Sequence, residues 1–493
     1  MTTLLLTLSL ALASSHEEPA EPDAAEATEA EELPPGPVVD RSGPPPVVAP
    51  EVLALDELTV HELTDAATAY HVRIPGVRKV KIAVVPRRGR ASLTDTVGLE
   101  STAVGWLADT ASQSIDASTF SELEDLHSVD VYSRIGYHMG AVGVEAPLHE
   151  LDKALEMLTE IVRGASFPKT ETKRWVLDQY QYLGVTGPSS QRGVANAALA
   201  FAWFPADTPY GARLDPDVLA DIEPARLERL YRKWLAESPL QVMVVGDVAY
   251  EDVELRLKAI VDGLGTPGDP DPEVPFEVQA GQRVIAVDMP GQEQVAVRFR
   301  TQAPSYRHED RVPLIAANYV LGGHFLSRLN ANLREDKGWT YGSRSSYRVG
   351  EEWGTEDVSV AVQAENAAAV VREIEGELQR LVDDGVTEQE LQLAYRRLVA
   401  DWNGTRATAD EAYSTYDVQL TYGISAEEAR AVYQQIGELS PEQVQGAAAR
   451  WLGPDEPRLW VLVGDRTKLE PHLEELGWSA EWLTPQQAIL GSF

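Results

Sequence analysis

One pattern occurs twice in this chain, and that repetition limits the possible folds more than any other feature. The first copy runs Pro224, Trp234-Leu235, Pro239, then Val242-Met243-Val244-Val245-Gly246-Asp247. The second runs Pro441, Trp451-Leu452, Pro457, then Trp460-Val461-Leu462-Val463-Gly464-Asp465. Pro and Trp are ten residues apart in both, and the two tryptophans are 217 residues apart. Each copy predicts a helix with Pro in its first turn, followed by a buried strand that ends at Gly-Asp. A fixed-period repeat of this kind is the mark of one supersecondary unit used twice.

Upstream of each copy lies another amphipathic helix. Leu151, Ala154, Leu155, Leu158, Ile161 and Val162 recur at helical spacing and stop at Gly164. In the second half Val371, Ile374, Leu378, Leu381 and Val382 do the same before Gly385. Thr387-Glu388-Gln389-Glu390 then forms a capping box for the next helix. Alternating runs such as Val358-Ser359-Val360-Ala361-Val362 supply strands. The expected class is α+β, with two homologous α/β-sandwich domains. Residues 51–264 and 276–493 would be those domains. A Pro- and Gly-rich hinge linker at 265–275 would join them.

The N-terminus reads differently. Residues 1–13 contain a short apolar run ending in Ala11-Leu12-Ala13, which predicts a signal peptide and export to the periplasm. Residues 14–50 predict a disordered acidic, Pro-rich tether. No run approaches the ~20 apolar residues needed for a membrane span.

Charge and cysteine content narrow the chemistry. The net charge of −36 argues against nucleic acid and toward cationic peptides as partners. With no cysteine, thiol catalysis, disulfides and Cys-ligated zinc are excluded. Ser166-Phe167-Pro168-Lys169 matches S-x-x-K but follows a helix end and lacks the companion motifs. There is no P-loop and no G-x-S-x-G elbow.

The segment Leu329-Asn330-Ala331-Asn332-Leu333-Arg334-Glu335-Asp336-Lys337-Gly338-Trp339-Thr340-Tyr341 reads as a helix that stops at Gly338 and turns into a strand. Arg334 falls in the last helical turn and Tyr341 near the strand start. A guanidinium and a phenol fixed at one joint can hold a peptide carbonyl or a developing oxyanion. Taken singly, Arg334 could equally be a helix C-terminal cation and Tyr341 a half-buried strand aromatic.

From Gln292 to about Trp402 the chain resembles the C-terminal domain of the pitrilysin/insulinase-type metallopeptidases, the family of the mitochondrial processing peptidase. The residues that carry the likeness are Gln294, Leu321-Gly322-Gly323, Phe325, Ser327-Arg328-Leu329, Leu333-Arg334-Glu335, Gly338 and Tyr341. The resemblance implies that active members hold zinc on an H-x-x-E-H helix of the N-terminal domain, with a further Glu downstream. It also implies that an Arg and a Tyr of the C-terminal domain bind substrate and stabilise the tetrahedral intermediate. Here those positions are Arg334 and Tyr341.

The zinc motif has degenerated. Its window aligns with Gly105-Trp106-Leu107-Ala108-Asp109, so Gly105 and Asp109 stand for the two His and Ala108 for the general base. Gln179 stands where the downstream Glu is expected. A catalytic zinc needs three protein ligands and an open position, so no metal or cofactor is expected in this chain. Zinc is expected in a partner chain. The resemblance therefore implies a non-zinc subunit of a two-chain metallopeptidase, inactive alone, with a zinc-bearing homologue and a peptide substrate as partners. The alternative is an inactive pseudo-peptidase acting as a scaffold or peptide-binding protein. Burial of Arg334 and Tyr341 against their own domain would favour that alternative.

Overall fold

The computed structural model describes residues 50–90, 99–183, 190–206, 208–211, 216–270 and 276–492. The expected signal peptide, nearly all of the tether, and residues 271–275 of the linker lie outside them. Residues 50–493 form one compact unit.

Two six-stranded sheets organise that unit. The first contains β1 (Leu58–Thr64), β2 (Ala67–Arg73), β3 (Lys79–Pro86), β4 (Asp130–Ile135), β5 (Gly140–Pro147) and β6 (Leu240–Gly246). Its order is β1-β2-β6-β3-β5-β4. The second contains β7 (Gln282–Asp288), β8 (Gln294–Gln302), β9 (Ser343–Val349), β10 (Gly354–Gln363), β11 (Arg458–Gly464) and β12 (Glu481–Leu483). Its order is β12-β7-β11-β8-β10-β9. Five positions correspond one to one. β2 pairs parallel with β6 as β7 does with β11, and the remaining shared neighbours are antiparallel. The copies part company at one edge, where β1 is antiparallel and β12 parallel to its neighbour.

The repeated Gly-Asp now has a structural reason. β6 and β11 are the central strands on which the motif ends. Asp247 accepts the backbone N–H of Gly76 at 2.9 Å, and Asp465 accepts that of Gly291 at 2.7 Å. Both glycines have positive φ, +86° and +80°, in the turn that leads into β3 or β8. Each Asp therefore pins the connection that crosses the end of its own central strand, from β2 to β3 or from β7 to β8. The tryptophans diverge more: Trp234 is wholly buried, whereas Trp451 is half-buried and donates its indole N–H to Asp310 at 2.9 Å.

The amphipathic helices form where the apolar spacing places them, at Leu151–Gly164 and Ala367–Asp383. Glu388–Gly404 opens with the expected capping box of Thr387 and Glu390. Each sheet packs one face on helices of its own half. The opposite face receives a helix from the other half. Gln191–Trp203 lies on β8 and β11, where Ala296, Val461 and Val463 join the first half's core. Ala409–Tyr422 lies on β3 and β6, where Ala412, Tyr413 and Tyr416 meet Val85, Met243 and Val245. Polar anchors reinforce the exchange: Gln191 donates to the carbonyls of Gln294 and Val463 at 2.7 and 2.8 Å. The 265–275 segment thus connects two halves that already hold one another.

Candidate functional site: the joint before β9

The segment between β8 and β9 begins with the helix Arg311–Asn318 and a wider π-helical turn, Tyr319–Gly323. A Cβ at Gly322 would stand 2.5 Å from the backbone nitrogen of Ser345, so glycine is what lets this turn touch β9. After a bend at His324–Ser327 the chain coils again at Arg328–Asn330 and continues π-helically through Ala331–Asp336. Arg328 docks this coil by a bidentate pair to Glu390, at 2.7 and 2.8 Å, and donates to the Gly385 carbonyl at 2.9 Å. Burial acts to raise the Glu390 carboxyl, but Arg328 and the Thr387 cap outweigh it and hold it at about 2.

The coil ends where the sequence places its stop. Gly338 takes φ +64°, and the N–H groups of Gly338 and Trp339 close on the carbonyls of Arg334 and Leu333. Arg334 lies in the last turn as expected. Tyr341 falls two residues short of the strand. Thr340 bonds through its hydroxyl to both backbone groups of Gly342, which delays the ladder until Ser343.

Asn330 is the residue that sequence reasoning missed. Its buried amide donates to the carbonyls of His324 and Ser343 at 3.1 and 2.9 Å, and its oxygen accepts the Ser343 N–H at 2.9 Å. It ties coil, bend and strand together. The available signal was an amide next to Leu329, on the side of the coil that should be apolar.

On this frame the Arg334 guanidinium lies 4.1 Å from the ring centre of Phe325 and 3.4 Å from Glu335. Tyr341 is 96% exposed and, among the described residues, makes no hydrogen bond or ring contact. Phe325 and Leu326 are also mostly exposed. The joint thus presents a phenol and two apolar side chains to solvent on a rigid base, with the Arg334 cation half-buried beside Phe325.

The region of the first half onto which the zinc motif aligns is closed. The helix Leu99–Leu107 presses on β4 so tightly that a Cβ at Gly105 would stand 2.9 Å from the Ile135 nitrogen. Ser133 on β4 donates its hydroxyl to the Gly105 carbonyl at 2.9 Å. Ala108 is wholly buried in the core. Neither position offers a ligand atom, so the residues present do not fit the zinc of the family's active members. Among the described residues, no group of three His, Asp or Glu side chains could hold a metal ion.

Asp109 lines a cleft of about 520 Å³ with Glu124, Glu171 and Arg174. Gln179 sits farther along the same helix, Lys169–Tyr182, and does not line that cleft. Burial raises Asp109 to about 6, although it accepts the Ser133 N–H at 3.3 Å. Burial, with Asp109 adding repulsion, raises Glu124 to about 7. Glu124 also escaped the sequence reading. Its signal was the i, i+4 spacing from the buried Phe120.

The described residues thus form a duplicated α+β sandwich with a closed region at residues 105–109 and the Arg334/Tyr341 joint in its second half. Comparison with known proteins agrees. Residues 221–398, which include the whole joint, match the peptidase M16 inactive domain. An uncharacterized zinc protease of Streptomyces coelicolor is 28% identical over 180 residues, covering 35% of this chain and 39% of that protein. The match thus spans about two fifths of the curated relative's length.

Solved structures share the fold. A peptidase M16 inactive domain protein from Pseudomonas fluorescens superposes with a TM-score of 0.72 at 19% identity, covering 83% of this chain and 98% of that one. A protease from Helicobacter pylori gives 0.70 at 16% identity, with 83% and 100% covered. The periplasmic protease PqqL of Escherichia coli gives 0.67 at 14% identity, with 90% and 49% covered. At these identities the likeness is one of fold. Residues 221–398 are thus similar to the M16 inactive domain, and the chain contains no H-x-x-E-H motif. Among the described residues no helix is long and apolar enough to cross a membrane.

Proposed function

We propose that this chain is the non-zinc subunit of a two-chain metallopeptidase, in which a zinc-bearing homologue cleaves peptides. Arg334 and Tyr341 would complete that partner's site. The observation that carries the reading is the state of Tyr341: a phenol fully open to solvent, without a partner of its own, on a joint braced by Asn330 and Arg328. An exposed aromatic on a rigid base suits contact with something outside the chain.

In the complex the Tyr341 hydroxyl donates to the carbonyl oxygen as it gains negative charge. Arg334 adds a second donor and a positive charge beside the substrate backbone. Both groups are placed before the reaction begins, so little reorganisation is needed. The activated water and the general base must come from the partner, since Gly105 and Ala108 cannot supply either. The net charge of −36 would draw cationic peptides toward the complex. Export to the periplasm, read from residues 1–13, belongs to the same proposal.

The test is reconstitution. The purified chain is assayed for peptide cleavage alone and mixed with an H-x-x-E-H relative encoded beside it. The expected outcome is no turnover alone and turnover in the mixture. If the mixture is no faster than the relative by itself, the subunit reading fails and a scaffold role takes its place.

A further inference from the structure

We propose that a crevice in the helical layer of the second half binds a free apolar dipeptide in its zwitterionic form. The crevice has a volume of about 430 Å³ and shares no residue with the joint before β9. That size suits a small ligand. Its walls come from Arg311–Asn318, the end of Glu388–Gly404, Ala409–Tyr422 and Ala426–Glu438. The inference is independent of the proposed function.

The lining is apolar over most of its length. Ile315, Val432 and Ile436 join Trp402 and Tyr433, whose rings pack with centres 4.6 Å apart. Val418 stands at the rim, 46% exposed. These groups would bury the two side chains of the ligand.

The polar groups are few, and their signs are mixed. Arg311 is half-buried, lies 4.1 Å from the ring centre of Tyr306 and forms no ion pair with a carboxylate among the described residues. Two carboxylates, Asp410 and Glu411, stand at the exposed rim. Asp410 is already paired with Lys81. The Glu411 carboxylate accepts the Thr408 hydroxyl at 3.1 Å, while the Glu411 backbone N–H donates to that hydroxyl in the helix cap, and among the described residues no cation pairs with it. One lining cation without a carboxylate and one rim carboxylate without a cation ask for a ligand carrying both charges. A dipeptide places its carboxylate at Arg311 and its ammonium at Glu411.

A third group narrows the class further. Gln419 lines the crevice and is 1% exposed, and its side-chain oxygen has no hydrogen-bond partner. A buried carbonyl left unpaired is costly. The central peptide N–H of a dipeptide is a donor of the required kind.

Isothermal titration of the full chain with leucyl-phenylalanine tests the inference. One saturable site is expected, with affinity at least about tenfold lower for the N-acetylated, C-amidated form of the same dipeptide, since each charge-assisted bond is worth more than ~1.4 kcal/mol. Arg311→Gln should weaken binding by a similar factor. Val418→Trp, at a rim position that is 46% exposed, should block it with the far-UV circular dichroism and Tm of the chain retained. Absence of saturable binding, equal binding of the capped form, or unchanged binding by Val418→Trp would overturn the proposal.

Discussion

The two halves share a topology, yet the segment before the outer strand has opposite fates in them. Between β3 and β4 the helix Leu99–Leu107, followed by the helix Ala117–His127, is pressed so close to β4 that Gly105 has no room for a side chain, and Ala108 is sealed in the core. Before β9 the chain is equally well fixed, but Tyr341 is turned outward and Arg334 lies half-buried over Phe325. The first place has no space for metal ligands, whereas the second holds an exposed phenol on a fixed base. Neither arrangement bears on what holds the scaffold, because the connections pinned by Asp247 and Asp465 and the exchanged helices lie elsewhere.

The strongest way to break this contrast is to rebuild the motif. A triple variant Gly105→His, Ala108→Glu, Asp109→His restores the letters of H-x-x-E-H. The glutamate enters the core at a fully buried position, and the new Cβ at 105 meets β4. A cost of about 3–5 kcal/mol is expected, as for an uncompensated buried charge. Chemical denaturation would show the loss, and metal analysis should find no stoichiometric zinc. A stable triple variant holding one zinc would show that the first site is open after all.

Tyr341→Phe probes the other side. In the reconstituted mixture it should lower kcat by about 10²–10³, the equivalent of ~2.7–4 kcal/mol for one oxyanion donor. The isolated chain should keep its stability within about 0.5 kcal/mol, since the hydroxyl touches nothing in it. The pairing of a large kinetic effect with no stability effect is the signature. An unchanged kcat would end the catalytic role.

Asn330→Ala should show a third, mixed behaviour. It leaves the Ser343 N–H and the carbonyls of His324 and Ser343 without the partner they now share. A loss of about 1–3 kcal/mol in stability is expected. Mixture activity should fall as well, through misplacement of a joint that still contains both donors. Full activity in this variant would mean that the joint needs no bracing.

Much of this contrast could be read from the residues. The Pro–Trp–Gly-Asp repeat gave the duplication because it reports buried strands and helix starts, which obey local periodicity. Gly338 marked the helix stop because only a positive φ is needed there. The degenerate positions Gly105 and Ala108 were legible as missing ligand atoms. What local pattern could not give was non-local. Helix Gln191–Trp203 looks like any apolar helix, and nothing in it announces that it packs on the other half's sheet. Glu171 reaches the cleft of Asp109 from a distant helix, and Asn330 acts on His324 and Ser343 across a bend that no helical or strand period describes. The placement of Tyr341 outside the strand depends on one side-chain turn at Thr340.

The smallest effect expected concerns pH, and it belongs to the closed site. Asp109 and Glu124 both hold protons more tightly in the folded chain than their ordinary values of 3.8 and 4.5, at about 6 and about 7. A carboxyl with a raised folded value stabilises the fold below its unfolded value, and that stability is lost as pH climbs through the folded one. The loss attributable to this pair therefore falls between about pH 4 and 7. Asp109→Asn keeps an acceptor for the Ser133 N–H but cannot ionise, and it removes the repulsion on Glu124. It should leave Tm unchanged at pH 4 and raise it on the order of 1–2 °C at pH 8. An equal shift at both pH values would mean that the cleft beside Asp109 is wet enough to solvate its charge. The first half would then be less tightly closed than the contacts at Gly105 imply.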